Sequence, residues 1–135
     1  MTDTNFSARL NAIPYAKRAI FMQQCFAGGF SDELSNANTF FSSAARGSEV
    51  AHEADGEKEA YGAVWYRHGE YNYYIISALS GSTPAPGAAG VNADIGVVNG
   101  HVSALEAHNW YATHENQPEV PVKTGDAVGT LFTIK

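Results

Sequence analysis

Apolar and polar positions alternate along this chain in a way that marks seven segments. Phe6, Leu10 and Ile13 fall on one side of "TNFSARLNAI", which predicts a short helix ended by Pro14. "RAIFMQQ" at 18–24 is almost continuously apolar, the pattern of a strand covered on both faces in a parallel sheet. "FSDELSNA" predicts a helical turn capped by Ser31 or Asp32. "TFFSSAA" at 39–45 opens β-branched and aromatic, and predicts a second strand. Tyr71, Tyr74, Ile75, Ala78 and Leu79 recur at helical spacing over 70–81, with Gly81 as the stop. "HVSALEAHNWYATHE" at 101–115 predicts a late helix whose Ser103 and Glu106 form a capping box and whose buried face runs through Leu105, His108 or Asn109, and Ala112. The tail "GTLFTIK" at 129–135 reads as a last strand.

Between these lie a charged surface loop at 46–60 and a flexible Pro/Gly/Ala connector at 82–100. The fold class this predicts is α/β: a small, mostly parallel sheet with flanking helices. The strand inventory is thin, since sheets commonly have four to six strands.

At 135 residues, with 44% hydrophobic content, the chain suits one domain with a real core. No stretch approaches the roughly 20 apolar residues of a membrane span, and the N-terminus lacks a signal-peptide layout. A single Cys fits a reducing compartment, so a cytoplasmic location is expected. The net charge of −6, without a basic stripe, argues against nucleic acid as a partner.

Cys25 follows the apolar run directly and precedes Ala27, Gly28 and Gly29. In open parallel sheets, sites lie beyond the carboxyl ends of strands. Glycines there let other backbone approach closely, and a helix starting nearby would favour the thiolate. Cys25 reads either as a nucleophile or as a small buried hydrophobe. A thiol nucleophile needs a base, and His52 with Glu53 or His68 with Glu70 offers a base with an orienting carboxylate. His101, His108 and His114 lack the i, i+4 spacing of metal ligands, so no metal site is expected. "NADIGVVNGHVSALEA" superficially has the layout of a calcium loop, but Ile95, Val97 and Val98 crowd it, and a structural turn is the better reading. No phosphate-cradling Gly motif is present and no cofactor is expected.

"IFMQQCFAGGFSDEL", "TFFSSAARGSE", "YGAVWYRHGEYNYYIISALSG" and "GHVSALEAHNWYATH", in this order, resemble the Cys-containing half of caspase–haemoglobinase-fold cysteine peptidases, the legumain-like branch above all. The resemblance spans roughly 5–135. It implies a partial caspase-like three-layer sandwich, with Cys25 as nucleophile and its N–H as an oxyanion donor. It places Ser42, Ser43, Ala44 and Ala45 on one wall of the specificity pocket, with Gln23, Val64 and Trp65 also at substrate-binding positions. The family's carboxylates two residues before the Cys and just before the Trp-Tyr pair are replaced here by Gln23 and Val64. The family histidine, in a His-Gly turn tens of residues upstream, has no counterpart in the 24 residues before Cys25.

Three functions follow from the resemblance. One is a truncated peptidase domain, a pseudoenzyme with little or no activity on peptide or protein substrates. The second is a non-enzymatic binding or assembly protein reusing the scaffold. The third is a peptidase half that takes its histidine from a partner chain. The strand at 18–24 would have lost a neighbour, and an open apolar edge invites pairing with a second copy, so a homodimer is expected.

Overall fold

In a computed structural model, described for residues 2–53, 59–61, 64–66, 68–84, 89–96 and 98–134, the chain is mixed α/β. For 59–61, 64–66 and 134 only the backbone is described. Helix α1 (Asp3–Asn11) starts at Thr2, whose side chain accepts from the Asn5 N–H at 3.3 Å. It ends before Ile13, which is 57% exposed rather than on the buried face. Pro14 disfavours helical backbone at the residue before it, so the helix stops short.

Strands β1 (Arg18–Met22) and β2 (Thr39–Ser43) pair in parallel, with Met22 opposite Ser43. The link between them carries a 3-10 turn (Ala27–Phe30) and the short helix α2 (Ser31–Leu34). Neither Ser31 nor Asp32 caps this helix: its N-cap is Phe30, already in helical conformation because the 3-10 turn runs straight into α2. β3 (Glu59–Tyr61) and β4 (Val64–Tyr66) form an antiparallel pair. α3 (Glu70–Ser80) ends at Gly81, whose left-handed backbone (φ 74°) glycine adopts without penalty. β5 (Val102–Ser103) leads into α4 (Ala104–His114) through the expected Ser103–Glu106 capping box. β6 (Val122–Thr124), α5 (Asp126–Gly129) and β7 (Thr133–Ile134) complete the chain.

The central sheet has the order β1-β2-β6 and is mixed, because β6 lies antiparallel to β2. The sheet is therefore not mostly parallel. β2, rather than β1, is its buried strand: all five of its residues are buried, while Phe21 in β1 is exposed. Among the described residues β1 pairs on one side only. The tail does not cover that edge. Only Thr133 and Ile134 are extended, and they pair with β5. No described helix is long and apolar enough to cross a membrane.

Strand alternation splits the core in two. Ile20, Met22 and Phe41 face α1 and α2 and pack with Phe6, Leu10 and Leu34. Phe40 faces the other way, toward Ala104 and Val128 of α4 and α5. Beyond the strand end, Ala44 and Ala45 pack with Tyr71, Ile75, Ala107 and Tyr111. The buried face of α4 is Ala104, Ala107, His108 and Tyr111, one position displaced from the expected one. The small alanines let α4 approach, while Tyr111 meets Tyr71 edge-on at 5.0 Å and donates to the Ala44 carbonyl at 3.1 Å.

A polar chain ties this layer to β2. The Tyr71 hydroxyl and His108 Nδ1 each lie 2.7 Å from Ser42 Oγ. The Tyr71 O–H donates to the Ser42 carbonyl at 3.1 Å, and Ser42 Oγ bridges the phenol oxygen and the His108 ring. Burial, aided by the Lys123 charge, pushes His108 down to about 4. Burial likewise raises the Tyr71 phenol.

A depressed histidine favours the fold above its ordinary value of 6.5, and that stability is lost as pH falls through its folded value of about 4. The loss is at most ~3 kcal/mol. Urea unfolding across this window should show the His108→Gln variant less stable at neutral pH but with a weaker acid-side fall than the parent chain. Equal slopes would show that His108 is not held neutral by the fold.

Candidate functional site

Parallel pairing brings the carboxyl ends of β1 and β2 together. The turn after β1 and the segment after β2 therefore meet at one end of the sheet. Cys25 stands in the first, two residues past Gln23, and is exposed, so it is not a core hydrophobe. Phe26 follows it in left-handed conformation (φ 61°), the only non-glycine with positive φ among the described residues. Such backbone costs about 1 kcal/mol or more for a bulky residue and persists only where neighbours enforce it. Here the Phe26 N–H donates to the Glu49 carbonyl at 2.7 Å and Ala27 N–H to Gln24 at 3.2 Å. Phe26 itself is 51% exposed.

The Gly-Gly pair now has a physical reason. The Gly28 N–H donates to the Ala45 carbonyl at 2.8 Å, and a Cβ on Gly28 would lie 2.7 Å from that oxygen and 2.8 Å from Arg46 Cα. Gly29 and Gly47 pass each other closely as well. The Cys25 turn is thus clamped onto the segment after β2. The 3-10 turn and α2 that follow have four residues each, too short for an appreciable macrodipole at the thiol.

Residues 46–53, expected as a solvated loop, instead run back over this turn. Cys25 Sγ donates to the Ala51 carbonyl at 3.8 Å. Gln23, Gln24, Cys25, Ala51, His52, Glu53, Gly69 and Asn72 line one open cleft of about 500 Å³. His52 also faces an adjoining cleft floored by Phe26, Val50 and Pro118. Of the two histidine–carboxylate readings, His52 is the one at the thiol. Its partner is Glu119 rather than Glu53. His52 Nδ1 lies 2.6 Å from Glu119 Oε2, and its backbone N–H donates to Oε1 at 3.3 Å. The Glu119 carboxylate is fully buried, so it requires these donors.

The other sequence-predicted residues separate clearly. Gln23 lines the cleft, with its amide packed over Gly69. Ser42, Ser43, Ala44 and Ala45 are completely buried and lie behind the cleft as core. The side chains of Val64 and Trp65 lie outside the described residues. His108 is committed to Ser42, and His114 stacks on Trp110 at 3.8 Å. Asp94 accepts from the Asn99 and Gly100 N–H groups, so that carboxylate closes a turn. No described group of three His, Cys, Asp or Glu is arranged to hold a metal.

Glu119 was missed from the sequence. Its one local signal is a carboxylate set between Pro118 and Pro121, where two fixed backbone angles hold it in place. Around it the field is acidic. Burial, and then the Glu119 charge, push Glu115 up to about 7, with Glu70 and Glu49 adding to the effect. Glu49 is held below its usual range by the Val120 N–H at 2.9 Å and by Arg46. A raised carboxyl favours the fold below its ordinary value of 4.5, and that stability is lost as pH rises through about 7. This slope opposes that of His108.

Two outcomes follow for stability. Gly28→Ala should cost about 1–3 kcal/mol, because the contacts are backbone, whereas Gly29→Ala, whose nearest such contact is 3.6 Å, should be nearly neutral. Equal denaturation midpoints for the two variants would refute the clamp. Glu115→Gln should remove the loss of stability as pH rises toward 7 and so steepen the net acid-side fall. An unchanged pH profile would show that Glu115 is not perturbed.

Comparison with protein-family models, with curated proteins and with solved structures returned no match, so the resemblance to the cysteine peptidases rests on the sequence motifs alone.

Proposed function

We propose that this chain is a caspase/legumain-like cysteine-peptidase domain, cytoplasmic, that keeps the nucleophile position at Cys25 and has little or no peptidase activity alone. The observation that carries this reading is the place of Cys25. It is an exposed thiol at the carboxyl end of a parallel strand, on a strained turn, in an open cleft. The low activity follows from the surroundings of the thiol. The thiol bonds a backbone carbonyl and, among the described residues, no imidazole. Amide hydrolysis needs both the base and the oxyanion donors, and triad members act as a unit.

Fluorogenic peptides ending in Asn, Asp, Arg or Lys should not be cleaved above the level of Cys25→Ala. Turnover that vanishes in that variant would refute the low-activity reading.

The side of β1 that has no strand partner among the described residues favours the second reading, assembly. With no Pro, bulge or inward charge in Ala19–Met22, that edge is available to another strand. A two-fold dimer through β1 would satisfy it. Sedimentation equilibrium at micromolar concentration should give twice the 14.4 kDa chain mass, falling to monomer in Phe21→Pro. A monomeric parent chain, or a Phe21→Pro dimer, would reject this contact.

A further inference from the structure

Cys25 and His52 come from different segments and reach the same cleft. We propose that His52, oriented by Glu119, is the general base of Cys25 within this chain, so that the thiol is acylated by activated esters without a histidine from elsewhere. This rests on the reading of Cys25 as the nucleophile.

An ionised carboxylate only accepts hydrogen bonds. Glu119 at 2.6 Å therefore fixes the proton on His52 Nδ1 and leaves Nε2 with a free lone pair. The second bond, from the His52 backbone N–H, locks the residue to the same carboxylate. The imidazole is partly exposed while its partner is wholly buried, so the ring's outer edge is the part offered to the clefts. This is the arrangement of a base with its orienter. The Cys25 thiol donates to Ala51, the residue directly before His52. Exposed side chains change rotamer in picoseconds to nanoseconds, and catalytic contacts often tighten only once substrate is bound. Other charges face the same place: Glu53 on the thiol's cleft and Glu49 on the adjoining one. Both favour an imidazolium once it forms. Among the described residues, no other histidine lines the thiol's cleft.

The step balances without further reagents. The thiol proton passes to His52 Nε2 as sulfur attacks the ester carbonyl. A C–S bond forms, the C–O bond to the leaving group breaks, and the leaving oxygen takes the proton. Water then attacks the thioester, with His52 again accepting a proton, and releases the acid and the free thiol. An activated ester needs less oxyanion and leaving-group help than an amide. Acylation is therefore compatible with scant peptide turnover. His52 is the catalytic residue here, and Glu119 is a positioning residue.

The probe is p-nitrophenyl acetate on the full chain at neutral pH, with p-nitrophenolate release followed optically and the acetyl adduct located by mass spectrometry. The adduct should sit on Cys25 and be absent from Cys25→Ser. An adduct unaffected by that substitution would overturn the nucleophile reading itself. His52→Ala should slow acylation about tenfold or more, and added imidazole should restore it selectively in that variant. Glu119→Gln should slow it less, with Glu119→Asp intermediate, while His114→Gln should leave it unchanged. Circular dichroism identifies any variant that fails to fold, and His52→Gln repeats the test at the same position. Cys25-dependent acylation that is equally fast without His52, or that imidazole does not rescue, would overturn the base assignment while leaving the nucleophile reading intact.

Discussion

The complete burial of β2 is the constraint on which the rest of this fold depends. Its five residues have no solvent to satisfy their polar groups, so each must find a partner in the protein. Thr39 receives the Arg18 guanidinium at 2.9 Å and bonds Asn36. Ser42 takes Tyr71 and His108, and Ser43 donates to the Ala45 carbonyl. These bonds fasten α3 and α4 to the sheet from one side and the β1 entrance from the other. Because β1 runs parallel to β2 and ends opposite Ser43, both strands release their following segments at the same end. The Cys25 turn and the His52 segment meet there as a consequence of register.

A second constraint then acts locally. The buried Glu119 carboxylate sits among acids, with Glu115, Glu70 and Glu49 nearby, and no lysine or arginine is bonded to it among the described residues. Its hydrogen-bond donors come from His52. An unpartnered charge at that depth would cost several kcal/mol, so the pair holds residues 46–53 against the Cys25 turn. Phe26 in left-handed backbone and Gly28 against Ala45 are further parts of that closure. The same interaction that stabilises the segment also presents an imidazole edge to the thiol's cleft.

Much of this architecture was legible in the sequence, and the remainder was hidden for identifiable reasons. The helical period over 70–81, Gly81 as its stop and the Ser103–Glu106 box each express one local rule, and each appears as expected. β6 was not legible, since three residues beside Pro121 carry no period of their own and become a strand only by pairing with β2. The apolar run at 18–24 reads as a strand covered on both faces, but in β1 only Met22 is buried and Phe21 is exposed. "RAIFM" is the more apolar, yet "TFFSS" is the buried one, because its hydroxyls find partners that offset the cost of leaving water. Cys25 and His52 were visible as chemistry. Their shared cleft was not, nor was Glu119, which lies 67 residues beyond His52 and joins it only through tertiary closure.

The central claim is that the thiol of Cys25 and the imidazole of His52 form one coupled site, with Glu119 fixing the tautomer. Nitrogen-15 correlation spectra of the five histidines test it directly. The account predicts that His52 is in the Nδ1–H form and that alkylating Cys25 with iodoacetamide shifts its Nε2 resonance, while that of His114 stays in place. A His52 ring in the Nε2–H form, or one whose nitrogens ignore the alkylation, would contradict it.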